Sequence, residues 1–161
     1  MVGHLQRLAI FVDVQNVYYT SRQAFGRHFD YHAFWARFAS GREVVVANAY
    51  AVDRGDPRQR QFQDILRGIG FSVKLKPFIQ RRDGSTKGDW DVGITLDAME
   101  AGPLVDHVVL VSGDGDFDLL VTRLRERCGV KVTVVGVESL TAGSLIRVAS
   151  EFVPIEGSLL L

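Results

Sequence analysis

Three carboxylates stand within five residues in Ser112-Gly113-Asp114-Gly115-Asp116-Phe117-Asp118, directly after the apolar run Val108-Val109-Leu110-Val111. Crowded like charges repel, and partial burial adds a desolvation penalty. A hard divalent cation, Mg²⁺ or Mn²⁺, is the economical counter-charge because such ions prefer carboxylate oxygens. Two more acids adjoin predicted elements: Asp13 ends the apolar run Leu8–Val12, and Asp91 opens a helical segment running to Ala101. Each has a plainer reading. Asp91 suits a helix cap, Asp13 a turn, and Asp114 or Asp116 the cap of the next helix. The plain readings weaken jointly if all four acids share one crevice.

The surrounding elements decide whether they do. With 161 residues and 47% hydrophobic content, the chain fits a single domain, residues 1–161 with a core over about 7–153. Leu8–Val12, Glu43–Val52, Phe71–Phe78, His107–Ser112 and Val130–Val137 read as strands, with Phe152–Pro154 as a short last one. Helical patterns fill 18–38, 56–69, 91–101, 116–127 and 139–149. Asp56-Pro57 marks a helix start and Gly70 its end. Gln80–Gly88 reads as a polar, basic loop, and the Leu159-Leu160-Leu161 tail carries no signal. The alternation predicts an α/β fold of three α/β/α layers, with a mostly parallel sheet of about five strands in the order 3-2-1-4-5. In that order the first and fourth strands flank the reversal point, where ligands bind beyond the carboxyl ends. Asp13, Asp114 and Asp116 then meet. A right-handed crossover brings Asp91 to the same end. Asp97, six residues further along, falls roughly 9 Å away along the helix axis, so it acts through water, at a second position, or in packing. Asp106 belongs at the opposite end and reads as structural. Asp118 suits the first turn of a helix, where negative charge is favourable.

Around these acids, Asn16 is placed to donate to a carboxylate or orient a water, with a helix cap as the alternative. Ser112 is placed to steady Asp114 or contact phosphate. Lys87 is placed to meet a phosphate, or is simply solvated. Tyr18, Tyr19, Trp90 and Phe78 offer faces for base stacking, although core packing is the commoner role of an aromatic. The formal net charge is zero, yet it is unevenly distributed. Residues 54–87 carry nine Lys or Arg, Arg81 and Arg82 among them, against three acids, whereas residues 88–118 carry eight acids and neither Lys nor Arg. A basic surface beside an acidic pocket fits a phosphodiester lying over metal ions; two solvated faces of opposite sign is the alternative. The lone Cys128 excludes an internal disulfide and a multi-cysteine zinc site, and a reducing, cytoplasmic setting fits it. No apolar stretch approaches the roughly 20 residues of a membrane helix. Homodimerisation stays open, since no coiled-coil or symmetric motif specifies it.

Taken together, Asp13-Val14-Gln15-Asn16, Lys87-Gly88-Asp89-Trp90-Asp91-Val92, Asp97 and Ser112-Gly113-Asp114-Gly115-Asp116-Phe117 resemble an NYN domain of the LabA-like group, within the PIN-like nuclease superfamily. The resemblance implies a PIN-like (Rossmannoid) fold and a Mg²⁺- or Mn²⁺-dependent ribonuclease, an endonuclease first, acting on RNA. It makes Asp13, Asp91, Asp114 and Asp116 the metal-binding and catalytic acids, with Asn16 in support. Substrate contacts then fall to Lys87, Ser112, Arg81 and Arg82. The first motif departs from the family's frequent Asp-Gly-x-Asn, because Val14 replaces the small residue. A non-catalytic RNA-binding or regulatory module that keeps the pocket is the competing reading. A phosphatase is disfavoured, because an aspartyl nucleophile usually sits in Asp-x-Asp after the first strand, and here Gln15 and Asn16 follow Asp13 and Val14.

Overall fold

The protein is described by a computed structural model covering residues 5–77, 79–80, 86–87 and 89–161. Its strands are β1 (Arg7–Asp13), β2 (Glu43–Asp53), β3 (Ser72–Pro77), β4 (Ile79–Gln80), β5 (Thr86–Lys87), β6 (His107–Val111), β7 (Lys131–Gly136) and β8 (Glu151–Pro154). Its α-helices are α1 (Val14–Phe25), α2 (Tyr31–Phe38), α3 (Pro57–Ile69), α4 (Asp91–Ala101), α5 (Asp118–Cys128) and α6 (Gly143–Val148). The main sheet has six strands in the order β3-β2-β1-β6-β7-β8, all parallel. The expected order is extended by one strand, because Glu151–Pro154 pairs with β7 over Thr133–Gly136.

The central strands explain the layers. Along β1, Leu8, Ile10 and Val12 enter one core while Ala9 and Phe11 enter the other. β6 divides likewise, Val109 and Val111 on one side and Val108 and Leu110 on the other. Successive side chains point to opposite faces, so a strand covered on both sides is apolar throughout. Val17, Phe34 and Leu66 seat α1, α2 and α3 on the first face. Ile94, Leu120 and Leu145 seat α4, α5 and α6 on the second.

Four local expectations change. The basic loop is not wholly a loop: β4 and β5 pair antiparallel, Ile79 with Lys87 and Gln80 with Thr86. The helix expected from Asp116 begins as a 3₁₀ turn over Gly115–Phe117, so α5 starts at Asp118. The helix expected over 139–149 is a 3₁₀ turn, Glu138–Leu140, followed by the short α6. Finally, the tail is docked. Leu159 and Leu160 are buried, Leu160 bridges to Phe29, and the Leu161 carbonyl accepts from Arg27 Nε at 2.7 Å. Apolar contact with the first core and these backbone bonds hold a segment whose own sequence specifies no element.

Candidate metal centre

The site forms where β1 and β6 end side by side. Val12 is in register with Val111, so Asp13 and Ser112 are the next neighbours across the ladder. Asp13 caps α1, accepting from the Asn16 backbone N–H at 3.4 Å. Its other oxygen accepts from the Ser112 hydroxyl at 3.2 Å. That hydroxyl is fully buried and also accepts from the Asp114 N–H at 3.2 Å. Ser112 therefore faces Asp13 and Asp114, not solvent, and ties the ends of the two strands together. Asp114 in turn caps the 3₁₀ turn by accepting from the Asp116 N–H at 2.9 Å.

Asn16 has a different task from capping. Its Oδ1 accepts from the Gly113 N–H at 2.9 Å, fastening the start of α1 to the loop after β6. Val14 enters α1 as its first residue behind an Asp13 of φ −82°. No described non-glycine residue has positive φ, so the turn does not require the small residue that Val14 replaces.

The glycines of the loop serve close packing. A Cβ on Gly113 would lie 2.9 Å from the Leu140 carbonyl oxygen, and one on Gly115 would lie 2.8 Å from the Ala142 Cβ. The loop is pressed against residues 140–142 and bonded to them, with Ala142 N–H donating to the Gly113 carbonyl at 3.1 Å.

Asp91 arrives from the other direction as the first residue of α4. The cap position belongs to Trp90, so Asp91 is not the cap. Trp90 is anchored by its Nε1–H on the Ala51 carbonyl at 2.9 Å, and Lys76 Nζ lies 4.4 Å from the centre of its ring. Lys76 also donates to the Asp89 carbonyl at 3.0 Å. Further along α4, Asp97 accepts from the Tyr50 hydroxyl at 2.7 Å, and Tyr50 accepts from Asn48 at 3.0 Å. Asp97 thus binds α4 to β2, the packing role among those expected of it. Asp106 sits at the far end of β6, accepting from the Arg7 N–H at 2.9 Å.

The result is a compact triad. Asp91, Asp114 and Asp116 each offer an oxygen, all within 4.8 Å of one another, with Asp91 and Asp114 half-buried and Asp116 exposed. Asp13 stands just outside this group, coupled to it through Ser112 and its own charge. Burial pushes the Asp13 carboxyl up to about 6, with Asp114 and Asp89 adding to the rise and the bonds from Asn16 and Ser112 opposing it. Asp91 is pushed up to about 7, first by burial, then by the charge of Asp114 and a hydrogen bond shared with it, and then by Asp89 and Asp13. Both shifts report carboxyls crowded together in a partly buried place. A divalent cation fits it, since every donor is a hard oxygen.

Asp89 is a contributor that sequence reasoning missed. It bonds the Asp91 N–H at 3.3 Å and adds its charge to both Asp13 and Asp91. Its place two residues before Asp91 was the available signal. Of the expected substrate contacts, Lys87 is on β5, and Arg81 and Arg82 lie outside the described residues, as does Phe78. Tyr18 and Tyr19 are exposed on α1. Cys128 is half-buried, and a Cβ on Gly102 would lie 2.7 Å from its sulfur. No described helix is long and apolar enough to cross a membrane.

The chain is similar to known proteins over nearly its whole length. The NYN domain family model matches residues 7–156. The Low amplitude and bright protein LabA of Synechococcus elongatus is 32% identical over 155 residues, covering 91% of this chain and 82% of that protein. A crystal structure of a protein of unknown function from Vibrio parahaemolyticus superposes with a TM-score of 0.95 at 59% identity, covering 100% of this chain and 99% of that one.

Proposed function

The chain belongs to the NYN domain family, and from that membership we propose that it is a Mg²⁺- or Mn²⁺-dependent ribonuclease hydrolysing RNA phosphodiester bonds. The observation that carries the reading is the convergence of Asp91, Asp114 and Asp116 within 4.8 Å from two distant parts of the chain. These three would hold the cation, with Asp13 as the fourth acid of the wall. A bound divalent cation supplies a nucleophile from water and offsets charge at phosphorus.

The chain's own residues prepare the place for that chemistry. Ser112 and Asn16 fix Asp13 and the Gly113–Asp116 loop in one arrangement. Asp91, pushed up to about 7 by burial and then by Asp114, would give up its remaining proton on holding a cation. Arg58, Arg60 and Arg67 are exposed and belong to the basic stretch that would steer the RNA backbone. Lys87, Arg81 and Arg82 complete that stretch as substrate contacts. The acids line neither of two clefts of about 710 and 370 Å³ elsewhere on the protein.

The test is cleavage of single-stranded RNA with Mn²⁺, with EDTA, and by Asp114→Asn. Cleavage by the wild type alone, and only with the cation, is the expected outcome. RNA left intact by wild type with Mn²⁺ would remove the reading. RNA binding that survives both EDTA and Asp114→Asn without turnover would instead establish a non-catalytic RNA-binding module.

A further inference from the structure

An aromatic in a small α/β domain is ordinarily core, yet two consecutive tyrosines of α1 stay outside it. Tyr18 is 40% and Tyr19 49% exposed. They are not loose. Their rings meet edge-to-face at 5.4 Å, and Tyr18 stacks on His28 at 5.8 Å. Arg22 donates to the Tyr18 hydroxyl at 2.9 Å, with its guanidinium 6.0 Å from the ring centre. The group is an ordered aromatic platform with a cation at its edge.

Its position matters. Tyr19 follows Asn16 by three residues, so the two share one side of α1, roughly 60° apart and one turn along. Asn16 binds Gly113 in the acidic loop. Tyr19 is therefore roughly 9 Å along the helix axis from Asp13. That is the span of about three stacked nucleotides at roughly 3.4 Å each. Exposed aromatic faces beside a cation are how proteins hold unpaired bases without reading their sequence.

We infer that Tyr19, backed by Tyr18 and Arg22, is a base-stacking subsite for single-stranded RNA leaving the acidic centre along α1. This rests on the ribonuclease reading and adds to it that the substrate is unpaired beside the cleavage point. Tyr19 is a substrate-positioning residue and has no part in the bond-breaking step.

The experiment compares wild type, Tyr19→Ala and Tyr19→Phe. Binding of a short labelled oligouridylate, and of an abasic strand of equal length, is measured by fluorescence anisotropy in EDTA. Tyr19→Ala is expected to weaken oligouridylate binding about tenfold and to leave abasic binding unchanged, with Tyr19→Phe restoring wild-type affinity. With Mn²⁺ the same substitution raises KM and spares kcat, while the thermal midpoint stays put. Equal binding of both strands by Tyr19→Ala and wild type, with cleavage intact, would overturn the subsite alone. A wild type that neither binds nor cuts RNA would take the ribonuclease reading with it.

Discussion

Asp91 and Asp114 carry the main tension of this protein, two half-buried carboxyls sharing a hydrogen bond. In the cation-free fold Asp91 titrates near 7 and Asp13 near 6, against 3.8 ordinarily. The folded state holds protons that the unfolded chain has already released. Their contribution to stability is complete below pH 4 and fades as pH rises through 6 and 7. Buried His107 runs the other way. Its Nε2 meets Thr133 Oγ1 at 2.7 Å, and burial, followed by Arg42 and Lys131, lowers its titration to about 4 from 6.5. Its contribution is complete above 6.5 and lost as pH falls through 4. Between pH 6.5 and 8 the histidine of the unfolded chain is completing its titration, and Asp91, with the higher midpoint, still holds the larger share of protons and sets the sign. Thermal unfolding in EDTA across that window is expected to show the wild type losing stability with rising pH while Asp91→Asn stays flatter and melts higher. Mn²⁺ is expected to stabilise the wild type most at the alkaline end and Asp91→Asn little. A wild-type midpoint that rises through this window would contradict the account.

At the scale of elements, the acidic loop is shaped by what it touches. Gly113 and Gly115 leave room for residues 140–142 to approach, and a Cβ at Gly113 meets backbone that has no side-chain freedom to move aside. Gly113→Ala is therefore expected to shift the loop, lengthen the bond to Asn16, and lower Mn²⁺ affinity tenfold or more in a calorimetric titration. The associated loss of stability is about 1–3 kcal/mol, the range for overpacking. Unchanged Mn²⁺ affinity in a folded Gly113→Ala protein would show that this packing does not position the acids. The same contact explains a gap in sequence reading: nothing local to the glycines marks the segment they accommodate, which lies more than twenty residues away.

At the scale of the whole molecule, the two cores are unequal in their dependence on distant chain. The core over α1, α2 and α3 is closed by Ile155, Leu159 and Leu160 from the C-terminal segment. The Asp30 N–H donates to the Leu159 carbonyl and the Leu161 N–H to the His28 carbonyl, holding the segment in place. Removing residues 157–161 takes away two buried leucines, Leu159 and Leu160, and at about 1.5–3 kcal/mol each the loss is about 3–6 kcal/mol. Chemical denaturation is expected to show that loss. A truncated chain with an unchanged midpoint would mean the tail only rests on the surface.

The unbroken apolar runs of β1 and β6 carry the three-layer fold in the sequence, because a strand buried on both faces must be apolar at every position. Strand order and crossover handedness then bring Asp13, Asp91, Asp114 and Asp116 to one end, and the NYN resemblance lies in those same residues. Tertiary contact alone separates their parts. Asp91, Asp114 and Asp116 close to within 4.8 Å while Asp13 is held beside them through Ser112. Asn16 bonds a backbone amide ninety-seven residues away, Asp97 bonds Tyr50, and Tyr18 and Tyr19, for which core packing is the commoner role, stand partly exposed. Local pattern decides which face of an element is apolar. It does not decide which distant group a polar side chain meets, and that depends on how the elements pack.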